Sequence, residues 1–256
     1  MKIKEALKEK NGNYILEKLL NKDKAWLFLN DNLKVPNEYF EIQKKIKNGY
    51  PIEYIFEEVF FYEDKFYIKE GVLIPRDDTE LVVEKAIKVI NEKCKMKNEK
   101  CLVVDCCTGC GVIAIEIAKW TNTKVVATDI SELALEVARK NAKIHNVNIE
   151  FKRCDLFDVK GDILVANPPY VENFWKKPNK YEPDLAFFGG VDGFDIVRKI
   201  IKKAKNLNYK IAIIEIGYNQ KENLIEFLNE IDCKYEFFKD LGGRIRGVKI
   251  NFFSKK

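Results

Sequence analysis

One histidine, His145, serves the whole 256-residue chain. A lone imidazole leaves His-based hydrolysis and zinc chemistry without the residues they most often use. No apolar run approaches the ~18 residues of a membrane span, and Met1-Lys2-Ile3-Lys4-Glu5 lacks the apolar core of a signal peptide. A basic arm is missing too. Residues 1–75 carry 13 lysines and 13 acidic residues, so the formal charge of +5 lies wholly in the remainder. A dedicated nucleic-acid-binding arm should be more basic than that. There is no internal repeat or low-complexity linker. The seven cysteines are odd in number, and several fall in apolar, strand-like surroundings, which points to a reducing cytoplasm rather than a disulfide framework. What remains is a chain 46% hydrophobic and 33% charged, able to bury a sizeable core as one large domain or as a core domain with a smaller partner.

Residues 1 to about 50 read as short helices. Ile15, Leu16, Leu19 and Leu20 share one face, and Pro36 opens a further helix through Phe40, Ile42 and Ile46 until Gly49-Tyr50-Pro51 stops it. Trp26, Phe28 and Leu29 are expected in the core of this segment. Val59–Tyr62 and Phe66–Ile68 flank Glu63-Asp64-Lys65 as a β-hairpin. Asp77-Asp78-Thr79-Glu80 is a helix start rich in capping acids. From residue 101 onward, strand and helix patterns alternate: strands at 101–106, 124–128, 148–152, 162–166 and 210–216, then a closing antiparallel pair at 235–238 and 248–252. This implies a doubly wound, mostly parallel α/β sheet with its sites at the strands' carboxyl ends. His145 is expected as a solvated cap at a helix C-terminus, and Arg244 and Arg246 as surface or ion-paired groups.

The first strand runs into Asp105-Cys106-Cys107-Thr108-Gly109-Cys110-Gly111. Small residues there let the backbone approach a ligand, and the helix N-terminus that follows favours negative groups. Asp129 ends the second strand, where a carboxylate can accept both hydroxyls of a ribose. Asp155-Leu156 follows the third strand and could frame an adenine edge. These describe a pocket for an adenosine-containing ligand. Gly109-x-Gly111-x-x-Ala114, with Asp129 twenty residues after Gly109, also satisfies the dinucleotide fingerprint. Asp105 would repel a pyrophosphate but could help hold a cationic, amino-acid-bearing ligand, so S-adenosylmethionine fits better. Cys107 and Cys110 form a C-x-x-C at a helix N-terminus, an arrangement that depresses a thiol pKa. Small residues filling a tight loop is the plainer reading.

Asn167-Pro168-Pro169-Tyr170 ends the apolar strand at 162–166. Two prolines make a rigid corner that holds one side-chain amide, carbonyls and a flat ring. Such a set suits a planar NH2 group: two acceptors take its protons and the ring covers one face. A carboxamide or the exocyclic amine of adenine would meet that description.

With these residues assembled, the chain resembles the bacterial release-factor N5-glutamine methyltransferases, known as the HemK or PrmC family. The resemblance rests on Pro51–Ile55, Leu73–Glu80, Asp105–Gly111, the identical Asn167–Tyr170 motif, Glu182-Pro183, Gly189-Gly190-x-Asp192-Gly193, Glu215-Ile216-Gly217 with Gln220, and Lys239-Asp240-Leu241. Cys107 and Cys110 replace a glycine and a serine of the family's loop, Asp77-Asp78 replaces Pro-Glu, and Leu156 stands where an aromatic is frequent. A cysteine at 107 requires a backbone that tolerates a Cβ.

The resemblance implies a Rossmann-like class I methyltransferase core of seven strands over residues 76–256, a helical docking domain over 1–55 and a linking β-hairpin over 56–75. It implies S-adenosylmethionine as donor, leaving as S-adenosylhomocysteine, with no metal. The cofactor would be held by Asp105, Cys107, Thr108, Gly109, Cys110, Gly111, Asp129, Asp155, Leu156 and Asn167. Asn167, Pro168 and Tyr170 would be catalytic, and Pro169 would join them in binding substrate. The implied substrate is the glutamine of the Gly-Gly-Gln loop of class 1 peptide chain release factors, and a cytoplasmic monomer without direct nucleic-acid contact is expected. The rivals are adenine-N6 methylation of DNA or RNA, and glutamine methylation of a ribosomal protein.

Overall fold

The computed structural model describes residues 1–95 and 101–252. These form two compact units, Met1–Glu57 and Glu58–Lys256.

The first unit contains α1 (Ile3–Ala6), α2 (Gly12–Leu20), α3 (Lys24–Leu29), α4 (Asn37–Lys47) and α5 (Ile52–Phe56). Its core gathers Ile3, Ala6, Ile15, Leu16, Leu27, Val35 and Tyr39. The buried Tyr39 hydroxyl donates to Ala6 O or Glu9 Oε2 and accepts from Gln43 Nε2, so a polar group in this small core is satisfied on every side. Asp23 caps α3 by accepting from Trp26 N at 2.8 Å. Here the structure corrects the expected core. Phe28 and Leu29 are 59% and 85% exposed. The reason is the length of α3: one and a half turns present a single face, and Leu27 occupies it.

In the second unit, β1 (Glu58–Phe61) and β2 (Asp64–Tyr67) form an antiparallel hairpin. Its turn is tighter than the sequence pattern implies, because Asp64 and Lys65 pair within β2 while Tyr62 takes φ 58°. The main sheet has seven strands: β3 (Leu102–Cys106), β4 (Lys124–Asp129), β5 (Glu150–Arg153), β6 (Ile163–Ala166), β7 (Ile211–Glu215), β8 (Cys233–Lys239) and β9 (Ile245–Phe252). Their order is β5-β4-β3-β6-β7-β9-β8. The first five are parallel, and β9 runs antiparallel to both of its neighbours. Every residue of β6 and β7 is buried, as helices on both faces of a parallel sheet require. The covering helices are α6 (Glu80–Ile90), α7 (Val112–Thr121), α8 (Glu132–Ile144), α9 (Asp195–Asn206) and α10 (Lys221–Asn229). Strand order reverses between β3 and β6, and a crevice opens at such a switch point.

The hairpin is fastened to this sheet's helices. Asn141 of α8 is fully buried; its Oδ1 accepts from Tyr67 N at 2.7 Å, and its Nδ2 donates to Tyr67 O and Cys110 O, each at 2.9 Å. His145 also serves here. It stacks on Phe66 with ring centroids 4.4 Å apart, and its Nε2 meets Lys65 O at 3.1 Å. Burial and the nearby Lys119 lower its pKa, so His145 is a hairpin anchor and not the solvated, charged cap that its position suggested. Arg246 is ion-paired, with Asp78 at 2.7 Å and Asp240 at 2.8 Å. Cys106, Cys107, Cys110, Cys154 and Cys233 are free thiols. Cys101 is disulfide-bonded.

Asn141 joins the hairpin to the loop before α7, so Asn141→Ala should cost about 2–4 kcal/mol, since it strands buried backbone groups. Urea unfolding monitored by circular dichroism measures that loss; a change below ~0.5 kcal/mol would show the hairpin to be held by its apolar face alone.

Candidate active site

Three segments leave the carboxyl edge of the sheet side by side. Parallel pairing sets Asp105 opposite Ala127 and Val165, and Cys106 opposite Thr128 and Ala166. The loop after β3, Asp129 at the end of β4 and Asn167 after β6 therefore emerge together. They border a cleft of about 910 Å³, counted to its open mouth. Cys107, Gly109, Asp129, Asp155, Leu156, Asn167 and Pro169 line it. Asp105, Thr108, Cys110, Gly111, Pro168 and Tyr170 are not among the lining residues.

Asp129 organises the loop. Its Oδ2 accepts from Gly109 N and its Oδ1 from Ser131 N, both at 2.9 Å. Each oxygen keeps a further lone pair for a ligand hydroxyl. Asp105 is fully buried, with Oδ2 accepting from the Thr108 hydroxyl at 2.6 Å and Oδ1 unpartnered. Burial raises its pKa from an ordinary 3.8 to about 7. The Cys110 thiol is pushed up to about 12 by burial, which removes the reactive-thiol reading that its helix-terminal position allowed. Cys107 takes φ 61°, a left-handed conformation costing a residue with a Cβ roughly 1–2 kcal/mol. Its Sγ lies 3.7 Å from that of Cys106. Leu156 also has φ 61°, and its carbonyl is fixed by the Thr128 hydroxyl at 2.6 Å.

The corner after β6 is pinned from behind. Asn167 Nδ2 donates to Thr79 Oγ1 at 2.8 Å, and Asn167 Oδ1 has no hydrogen-bond partner among the described residues. The Pro168 and Pro169 carbonyls likewise accept no hydrogen bond there. The Tyr170 hydroxyl donates to Glu215 Oε1 at 2.9 Å, and Gln220 Nε2 donates to Tyr170 O at 2.8 Å. The Tyr170 ring is thus turned into the protein and does not border the cleft.

Sequence reasoning missed part of the lining: Gly71, Val72, Leu73, Ile130, Leu185, Phe188 and Ile196. Glu182 fastens two stretches of it. Its carboxylate accepts two bonds from Arg76 Nη2, at 2.9 and 2.8 Å, with Ile74 N and Asn179 Nδ2 as further donors. The Glu182-Pro183 and Gly189-Gly190 pairs were the available signals, and neither discloses what it packs against.

Fold and cleft together define a Rossmann-like class I methyltransferase. A protein-family model described as methyltransferase small domain matches residues 82–180. Two solved structures share the fold: a ribosomal protein L11 methylase from Lactobacillus delbrueckii subsp. bulgaricus (TM-score 0.52, 21% identity, 75% of this chain and 88% of that one), and the N-terminal domain of human METTL16 in complex with SAH (TM-score 0.54, 17% identity, 72% and 74%). Among curated proteins, release factor glutamine methyltransferases match nearly end to end. The chain is 31% identical to that of Mycoplasma mycoides subsp. mycoides SC (97% of this chain, 94% of the relative). It is 34% identical to that of Clostridium botulinum (93% and 90%), and 37% identical to that of Lactococcus lactis subsp. lactis (82% and 80%). The chain belongs to the release factor glutamine methyltransferase family.

Two predictions follow from the loop. A Cβ on Gly109 would meet nothing within 4 Å and stand at the open cleft, whereas one on Gly111 would lie 3.0 Å from Ala138 Cβ of α8. Both have positive φ, 57° and 89°, so Gly109→Ala should cost about 1 kcal/mol and Gly111→Ala about 1–3 kcal/mol more. Calorimetry with S-adenosylmethionine should show binding lost in folded Gly109→Ala; undiminished affinity would place the ligand elsewhere.

The second concerns pH. Asp105 binds its proton more tightly folded than unfolded, so its stabilising contribution is complete below pH 3.8 and is lost as pH rises to about 7. Relative to Asp105→Asn, the wild-type urea midpoint should therefore climb as pH falls from 8 to 4.5. A flat difference would mean that Asp105 is ionised throughout.

Proposed function

We propose that this chain transfers a methyl group from S-adenosylmethionine to the side-chain nitrogen, N5, of the glutamine in the Gly-Gly-Gln loop of class 1 peptide chain release factors. The observation that carries this reading is the state of the Asn167 amide. Its nitrogen is engaged by Thr79, leaving its oxygen and the Pro168 carbonyl as acceptors without protein partners. Two acceptors on one rigid corner suit the two protons of a carboxamide NH2. They discriminate against a glutamate carboxylate, which has no protons to give.

The residues fit the cofactor. Gly109 leaves room for close approach at the cleft, and Asp129 retains lone pairs beside it. Asp105 Oδ1 is a buried acceptor without a partner, suited to a cationic amino-acid group. Leu156 and Asp155 line the cleft where an adenine edge would be framed. When bound, S-adenosylmethionine supplies an electrophilic methyl on a sulfonium and departs as S-adenosylhomocysteine.

A carboxamide nitrogen is a poor nucleophile because its lone pair is delocalised into the carbonyl. Asn167 Oδ1 and Pro168 O counter this by accepting the amide protons, which holds the nitrogen in one place and draws electron density toward it. With the donor bound, these two oxygens would hold the nitrogen while its lone pair takes the methyl, the methyl's bond to sulfur breaking with its pair on sulfur and one amide proton passing to solvent. Positioning of this kind contributes several kcal/mol. Tyr170 acts from behind the corner, through its hydroxyl on Glu215.

Incubation with labelled methyl donor and a purified release factor, followed by peptide mass spectrometry, should place the methyl on the Gly-Gly-Gln glutamine. Label found on DNA, RNA or a ribosomal protein, with none on the release factor, would overturn the proposal. Asn167→Ala should lower kcat by about 100-fold or more while changing cofactor affinity little; near-normal turnover would remove Asn167 from the reaction.

A further inference from the structure

Gln220, the residue before α10, is 2% exposed although its side chain ends in an amide. Its Oε1 accepts from Gly217 N at 2.9 Å, and its Nε2 donates to Tyr170 O at 2.8 Å. The first partner can only donate and the second can only accept, so the amide has one workable orientation. It ties the loop after β7 to the corner after β6. Tyr170 is tied to β7 a second time, by its hydroxyl on Glu215 Oε1 at 2.9 Å. Glycines keep the space around these bonds. A Cβ on Gly193 would stand 2.3 Å from Tyr170 O and 2.9 Å from Gln220 Nε2, and one on Gly189 would stand 2.5 Å from Pro169 O.

We propose that Gln220 is a positioning residue for methyl transfer: by holding the Tyr170 carbonyl it fixes the far end of the Asn-Pro-Pro-Tyr corner, and with it the direction of the Pro168 carbonyl. Few dihedrals separate the two ends. The rings of Pro168 and Pro169 lock φ at both positions, which leaves mainly ψ free between Asn167 and Tyr170. At the near end, Ala166 of β6 pairs with Ile214 of β7, and Asn167 Nδ2 donates to Thr79 Oγ1 at 2.8 Å. With Tyr170 held by Gln220 and Glu215, the carbonyls between are held as well. Freed at Tyr170, the same ψ angles would swing Pro168 O away from the place where it and Asn167 Oδ1 share one NH2 group. A misplacement of about 1 Å can cost such a reaction ~100-fold. Backbone bonds from Val171 to Phe187 and Gly189 hold the next residue, so loss of Gln220 loosens the corner without releasing it. The inference rests on the glutamine methylation proposed above and deepens it by assigning what holds the acceptors in place.

A carboxyl in place of the amide separates this role from packing, because Gln220→Glu keeps the side chain's shape. Ionised, it turns an oxygen to Tyr170 O, acceptor against acceptor. Protonated, it donates to Tyr170 O while its carbonyl oxygen accepts from Gly217 N, as the amide does. Burial raises the pKa of such a carboxyl, so the bond returns as pH falls. Tyr170 and Glu172 after β6, Asp192 beside Gly193, Glu215 of β7, and Lys221 and Glu222 of α10 are the ionisable groups on the segments that meet here. All are present in the wild type, and dividing by the wild-type rate at each pH removes their share.

The test measures methyl transfer to a release factor by the wild type, Gln220→Met and Gln220→Glu from about pH 6 to 9, with calorimetric S-adenosylmethionine affinity and circular dichroism alongside. In Gln220→Met, kcat should fall about tenfold, the scale of one lost hydrogen bond, while KM for the release factor and cofactor affinity stay within about threefold. Gln220→Glu should be slower still at pH 9 and recover to within about threefold of wild type at pH 6; a packing role gives one ratio at every pH. The carboxyl binds its proton more tightly folded than unfolded, so its stabilising share is lost as pH rises through the folded pKa. The urea midpoint of Gln220→Glu relative to wild type should therefore climb as pH falls. That arm needs no substrate and reads the bond even if the release factor proves the wrong acceptor. Wild-type kcat in Gln220→Met, a rate ratio or midpoint difference flat with pH in Gln220→Glu, or cofactor affinity lost in step with kcat would each overturn the inference.

Discussion

Parallel pairing of β3 with β4 and β6 fixes the site, because register decides which residues leave the sheet at one edge. Asp105 lies level with Ala127 and Val165, so the loop that follows it, Asp129 and Asn167 can border one cleft although up to sixty residues separate them in sequence. The edge is then laced by backbone groups. Thr108 N donates to Thr128 O, Cys154 N to Asp129 O, and Gly109 N to the Asp129 carboxylate. A slip of one residue in any of these strands would turn Asp129 or Asn167 to the opposite face.

The second unit places several carboxyls where water does not reach, with unequal compensation. Glu182 is satisfied by Arg76, Ile74 N and Asn179, and it behaves as a fastener between two stretches of the cleft lining. Asp105 and Glu215 each keep one oxygen without a well-formed bond, and burial raises both toward neutrality. A buried acceptor lacking a donor costs stability. Both stand at the carboxyl edge of the sheet, Asp105 near the end of β3 and Glu215 at the end of β7.

Much of the fold was legible because its signals are local. Alternating apolar runs and helical spacing mark β3 to β7 and their helices, and the closing antiparallel pair reads from two short apolar stretches. The signals failed where a neighbour decides. Phe28 and Leu29 look like core residues, but a helix of six residues buries one face only. His145 has the position of a solvated cap, yet Phe66 and Lys65 of the hairpin claim its ring. Cys110 sits where a helix dipole lowers a thiol pKa, and complete burial outweighs that dipole.

The order and chemistry of the site boxes were set by the sequence alone: a loop of small residues after one strand, a carboxylate ending the next, and an amide with two prolines after a third. These are short-range facts, carried by residue type and spacing. Which of those residues touch the cleft, and what holds the Asn167 amide, were decided only by tertiary contact. Thr79 lies 88 residues from Asn167 along the chain and 2.8 Å from it in space, and no periodicity encodes a hydrogen bond made across that separation.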